Sequence, residues 1–137
     1  MSYKLQLEIV TPEAKVFSGA VDMVTLAGVE GEMGIMPGHM PVMTQLTAGE
    51  LSVRQDGQSI FIAVGDGFVQ VTDETVSVLT DMAIKADDID EAKALEAQKK
   101  AEARLGQTLS EEELATVQAA LVHATTQINV KRRHKPQ

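Results

Sequence analysis

The sequence predicts an N-terminal antiparallel β-sandwich followed by a C-terminal α-helical hairpin, on three observations. Residues 4 to 79 are short runs in which apolar and polar side chains alternate, broken at regular intervals by Gly, Pro and Asp; that is the pattern of half-buried strands. Near Asp81 the chain turns to Ala, Glu and Lys, which are strong helix formers. Ser110 followed three residues later by Glu113 marks the start of a second helix. The reading divides the chain into a sandwich domain at 1–86 and a two-helix domain at 87–137.

The first strand is the cleanest. Leu5, Leu7 and Ile9 fall on one face, and Lys4, Gln6 and Glu8 on the other. Thr11-Pro12-Glu13 turns the chain, and Val16-Phe17 and Val21 to Leu26 supply two more short strands. Gly28 to Pro41 reads as a loop, with strands at Val42 to Leu46 and Leu51 to Gln55 beyond it. Asp56-Gly57 marks a tight hairpin, because this pair tolerates the positive φ angles of a primed turn. Ile60 to Val64 pairs back across it. Gly65-Asp66-Gly67 and Asp73-Glu74 punctuate the last two strands, Phe68 to Val71 and Val76 to Leu79.

The helices carry their own end signals. Asp87, Asp88, Asp90 and Glu91 gather where a helix N-terminus favours negative charge. Alanines 92, 94, 97, 101 and 103 dominate the stretch to Leu105, and Gly106 follows at the position of a helix-ending glycine. The second helix shows a heptad-like seam of Leu114, Val117, Leu121, Ala124 and Ile128. An alanine-rich first helix packs closely yet buries little area, since a buried Leu or Val contributes about 1.5–3 kcal/mol and an alanine methyl far less. A hairpin held so lightly is suited to switch between docked and extended states.

Composition excludes several functions. Aromatics make up 3% of the 137 residues, which argues against base-stacking platforms. A net charge of −8 argues against nonspecific nucleic-acid binding. The absence of cysteine removes disulfides, thiolate nucleophiles and sulfur-ligated metals. Met1-Ser2-Tyr3-Lys4 leads directly into a strand and does not read as a secretory leader. No apolar run is long enough to span a bilayer. The expectation is a soluble cytoplasmic protein with no direct membrane insertion.

Gly28 to Pro41 is the most specified segment, with four glycines, two prolines and three methionines. It is either a folded-back corner or a surface pressed on a partner. It lacks the Gly-Lys-Ser/Thr ending of a phosphate-binding loop and leads to a strand rather than a helix. His39 has no second ligand type beside it, so no metal site is expected. Glu30 and Glu32 read as solvated carboxylates, without a nucleophile or oxyanion donors beside them. Met33, Met36, Met40 and Met43 fit two roles equally, filling the sandwich interior or forming an adaptable contact surface. At the far end, Lys131-Arg132-Arg133-His134-Lys135 makes a basic terminus on an acidic protein. It is either a solvated, frayed tail or a cluster that reaches an acidic patch on a partner.

The order of parts resembles the epsilon subunit of bacterial F-type ATP synthases. The carrying residues are Gly31-Glu32-Met33-Gly34-Ile35-Met36-Pro37-Gly38-His39 with Pro41, close to that family's Gly-Glu-x-Gly-Ile-x-Pro-x-His-x-Pro signature. Val10-Thr11-Pro12, Phe68-Val69-Gln70-Val71 and Ile89-Asp90-Glu91-Ala92-Lys93-Ala94 support it, and the second helix is the weakest match. The resemblance implies a non-catalytic subunit of the rotor's central stalk, peripheral on the cytoplasmic face of the bacterial plasma membrane. Its sandwich would bind the gamma subunit and rest on the ring of c subunits, with Glu30, Gly31, Glu32, His39, Pro41 and Met43 as the contact region. Its helices would rise along gamma toward the alpha and beta subunits to inhibit ATP hydrolysis. Lys131, Arg132, Arg133 and Lys135 would then engage acidic segments of beta.

Some members of that family bind ATP through an Ile/Leu-Asp-x-x-Arg-Ala motif on the hairpin. Here Ile89, Asp90 and Ala94 match, but Lys93 replaces the arginine and lacks the planar fork that grips phosphate. Residues 121 to 128 contain no Lys or Arg. The expectation is weak or no nucleotide binding, and no cofactor. Two other classes compete with the stalk reading: a free-standing nucleotide-sensing module that closes its hairpin on ATP, and a small hydrolase, disfavoured by the missing catalytic set.

Overall fold

The computed structural model describes residues 4–38 and 40–134. Ten strands among these residues form one curled sheet, and two helices follow. The strands are β1 Leu5–Val10, β2 Lys15–Val21, β3 Met23–Gly28, β4 Gly31–Ile35, β5 Val42–Leu46, β6 Gly49–Gln55, β7 Gln58–Val64, β8 Gly67–Val71, β9 Thr75–Thr80 and β10 Ala83–Lys85. The helices are α1 Glu91–Leu105 and α2 Glu111–Arg133.

The sheet runs in the order β10-β7-β6-β3-β5-β8-β9-β1-β2, with β4 on the other edge of β3. The β1–β9 pair is parallel and the other pairs are antiparallel. The sheet turns its corner at β3, whose first half pairs with β6 while Gly28 pairs with Leu46 of β5. Asp22 N–H donates to Arg54 O at 2.7 Å and Gln55 Nε2 to Ala20 O at 2.9 Å. These bonds draw the β2 edge against β6 and give the sandwich its barrel-like closure.

Alternation decides what fills it. Leu5, Leu7 and Ile9 are fully buried, as are Val24, Ile35, Leu51, Ile62, Val69, Val76 and Val78. These belong to one cluster, with Met33 packed against its side. The β6–β7 hairpin closes through Asp56 (φ 52°) and Gly57 (φ 81°), the two positive φ angles of the predicted primed turn.

Two strands depart from the sequence reading. Gly31–Ile35, expected to be loop, is β4, paired residue for residue with β3 from Gly28↔Gly31 to Val24↔Ile35. Glycines at 31 and 34 leave only Met33 and Ile35 to signal a period, so the strand is invisible to side-chain patterning. β10 spans three residues, too few to show alternation, and adds to β7 through Ile84↔Ala63.

The first helix begins later than the acids suggested. Ala86–Asp88 forms a single 3₁₀ turn, so Asp87 and Asp88 precede α1, and Asp90 is its N-cap, accepting from Lys93 N–H at 3.2 Å. Gly106 stands at the α1 C-cap, but in right-handed helical rather than left-handed geometry (φ −81°). At α2, Ser110 Oγ accepts from Glu113 N–H while the Glu113 carboxylate accepts from Ser110 N–H, both at 3.2 Å, completing the capping box. Of the predicted seam, Val117, Ala124 and Ile128 are buried, Leu121 is half-buried, and Leu114 is exposed near the hairpin loop. α1 contributes Ala94 and Ala101 as its buried residues. The hairpin sits on the outside of β7, where Val130 joins Ala63, Ala86 and Ile89 in a separate small cluster.

Candidate contact surfaces

From Gly28 to Ile35 the segment supplies the tip and one arm, β4, of a projecting corner whose other arm is β3. Backbone pairing between β3 and β4 thrusts Val29 and Glu30 out as its tip. Gly31 takes φ +123°, a conformation that side chains other than glycine's rarely adopt. Glu30 and Glu32 are exposed, as expected of solvated carboxylates. Val29 N–H donates to Gln45 O at 3.2 Å, which ties the tip to β5.

That bond sets the tip beside an outward-facing row on β5. Met43 and Gln45 alternate outward on this strand, and Pro41, just before it, is also exposed. Of the sequence-predicted contact residues, Glu30, Gly31 and Glu32 therefore form the corner, while Pro41 and Met43 lie on and before the strand joined to it. His39 lies outside the described residues. The two methionine roles divide between residues: Met33 packs on the core, whereas Met36, Met40 and Met43 are 56%, 79% and 69% exposed.

The exposed row extends to residues that the sequence reading did not single out. Phe68 on β8 pairs with Gln45 on one side and with Leu79 of β9 on the other. Phe68, Leu79 and Val29 are 50%, 57% and 58% exposed. A signal was present: Val69 and Val71 point inward, so the same strand must turn Phe68 and Gln70 to solvent. Large apolar side chains grouped on an outer sheet face mark a surface for a partner.

The hairpin residues of the nucleotide motif are occupied structurally. Ile89 is buried with Ala63, Ala86 and Val130, Ala94 is buried, and Asp90 caps α1. Asp90 and Lys93 are both exposed, but the Asp90 carboxylate is engaged by the Lys93 backbone N–H.

The basic terminus is bound back onto its own chain. Lys131 Nζ donates to Ala86 O at 3.0 Å, Arg132 Nε lies 3.5 Å from Glu91 Oε2, and Arg133 Nη1 lies 3.4 Å from Glu50 Oε2. His134 stacks on Phe61, with ring centroids 3.5 Å apart and planes within 6°, and its Nε2 meets Glu50 Oε1. The alternative of a frayed tail does not describe residues 131–134; Lys135 lies outside the described residues. Glu50 is the residue that sequence reasoning missed here.

Two family models match in succession: the beta-sandwich domain of the ATP synthase delta/epsilon chain over residues 4–86, and its long alpha-helix domain over residues 87–132. The chain belongs to the ATP synthase delta/epsilon family. Its curated relatives are named ATP synthase epsilon chain. That of Dehalococcoides mccartyi is 44% identical over 137 residues, covering 98% of each chain. That of Citrifermentans bemidjiense is 42% identical over 131 residues, covering 95% of each. Among solved structures, a chain of the Euglena gracilis mitochondrial ATP synthase, in an assembly of OSCP, F1 and c-ring, aligns with TM-score 0.71 and 26% identity. The alignment covers 90% of this chain and 78% of that one. A chain of the Tetrahymena thermophila mitochondrial ATP synthase central stalk and c-ring shares the fold, with TM-score 0.61, 13% identity and 98% coverage of each. This chain has, among its described residues, no helix long and apolar enough to cross a membrane.

Proposed function

We propose that this chain works as the epsilon subunit, a non-catalytic rotor component, of an F-type ATP synthase, on the cytoplasmic face of a bacterial plasma membrane. The observation that carries the reading is the corner at Glu30-Gly31-Glu32 joined to an exposed apolar row. The corner offers backbone and carboxylates at close range, which suits polar loops of the c-ring. The row of Met43, Phe68 and Leu79 offers the apolar area that a permanent partner covers, and the gamma subunit is that partner.

The hairpin supplies regulation. Its apolar seat on the sandwich centres on Val130, Ala63, Ala86 and Ile89, so the two bodies separate without exposing a large core. Released, α2 would carry Lys131, Arg132, Arg133 and Lys135 toward acidic segments of the beta subunit and arrest hydrolysis.

Co-purification tests the contact assignment. The full chain should capture gamma and the c-ring. Phe68→Ser with Leu79→Ser should weaken gamma capture, and Glu30→Lys with Glu32→Lys should weaken coupling to the ring. Unchanged association with all four substitutions in place would remove these surfaces from the interface.

A further inference from the structure

The docked hairpin ends on a carboxylate whose position nothing in the strand pattern requires. Glu50 lies near the start of β6, opposite Ala63 of β7, and Ala63 belongs to the cluster that seats Val130. Its side chain is 19% exposed, and both oxygens face α2: Oε2 meets Arg133 and Oε1 meets His134. His134 is 20% exposed and is clamped from its other face by Phe61.

The exposures decide which contacts hold. Arg132 and Arg133 are 57% and 67% exposed, and ion pairs that open contribute little. The Glu50–His134 contact is largely shielded from solvent, and aromatic stacking fixes its geometry, so it loses far less to screening. The apolar seat beneath it is small, which makes this polar contact a decisive fraction of the docking free energy.

We propose that Glu50 and Phe61 form the catch of a release latch that closes on Arg133 and His134. The latch rests on the regulatory reading above and adds a mechanism to it. While it is closed, the sandwich, its 3₁₀ turn and the start of α1 occupy the cations that the released hairpin presents to a partner. Glu50 and Glu91 hold Arg133 and Arg132, and the Ala86 carbonyl holds Lys131. Release of the hairpin from the sandwich therefore frees Arg133 and His134 in one event, whereas the Glu91–Arg132 pair lies within the hairpin. An acidic partner segment competes with Glu50 for the same groups.

The test uses the full chain, which has no cysteine, with spin labels on Gln58→Cys in β7 and Gln118→Cys in α2. The unsubstituted latch should give one narrow distance in pulsed electron resonance. Glu50→Gln, which keeps shape and removes charge, should raise the released population about tenfold. Phe61→Ala should raise it independently, and Glu96→Gln, whose carboxylate pairs within α1 with Lys100 at 3.5 Å, should leave it unchanged. Distance distributions for Glu50→Gln and Phe61→Ala that match the parent overturn the latch. Hydrolysis by the reconstituted complex is read separately. A working latch without inhibition contradicts the regulatory reading, and inhibition that ignores both substitutions contradicts the latch.

Discussion

A Cβ placed on Gly65 would lie 1.9 Å from Asp81 Oδ1, so the bare backbone at Gly65 is what lets Asp81 reach His123 Nε2 on α2 at 3.1 Å. A turn of the sandwich thus makes room for a contact that belongs to the hairpin.

Gly65 and Gly67 predict different outcomes on substitution. At Gly65 the obstacle is the end of an Asp81 side chain that is 48% exposed and free to swing outward. At Gly67 the new Cβ would lie 1.9 Å from Leu79 O and 2.8 Å from Thr80 Cα, both backbone atoms of β9. Gly67→Ala should therefore cost about 3 kcal/mol or more, and Gly65→Ala roughly 1 kcal/mol while detaching Asp81 from His123. Urea unfolding followed by circular dichroism checks the first difference, and the His123 ring resonances check the second.

Gly31→Ala isolates backbone strain, since no atom lies within 4 Å of the added Cβ and the φ of +123° alone resists it. The expected loss is about 1–3 kcal/mol, or a relaxed tip that avoids it. Reduced ring capture with little loss of stability would report relaxation; unchanged capture and stability would contradict the strained geometry.

The Lys4–Asp22–Asp56 group predicts a pH profile. Hydrogen bonding from Lys4, aided by the Asp56 backbone N–H, holds the Asp22 carboxyl below the usual carboxylate range. Hydrogen bonds to Asp22 and Asp56 hold Lys4 above the ordinary lysine value. Asp22 thus adds stability that is full above its unfolded value and is lost as pH falls through its lowered folded value. Lys4 adds stability that is full below its unfolded value and is lost as pH rises through its raised folded value. Lys4→Met should move the Asp22 titration, followed by carboxyl NMR, back toward the ordinary range; an unmoved titration would contradict the pairing.

Nucleotide binding should be weak or absent. Asp90 is engaged as a helix cap and Ile89 and Ala94 are buried, which leaves the exposed Lys93 side chain, without arginine's planar fork, to grip phosphate. Calorimetric titration with millimolar ATP should give no saturable heat. Strong, saturable heat would favour the sensing module over the stalk reading.

These outcomes bear on what was legible in the chain. The alternation of Leu5, Leu7 and Ile9 and the Ser110–Glu113 box each depend on neighbours a few residues apart, and the structure has both. β4 was hidden because glycine carries no side chain to pattern. Glu50 was hidden for a different reason: its partners lie 83 and 84 residues away, and within β6 it reads as one more outward polar residue. The corner at Glu30-Gly31-Glu32 was readable as a special segment, but its joining to the Phe68–Leu79 row required the β3–β5 pairing at Gly28 and Leu46.

The most direct measurement is ATP hydrolysis by the reconstituted complex, carrying either the full chain or a chain ending at Lys85. Both forms should associate with gamma and the ring, with hydrolysis suppressed by the full chain and released with the shortened one. Equal hydrolysis rates with both forms bound would contradict the inhibitory role, and a full chain that fails to associate would contradict its place in the rotor stalk.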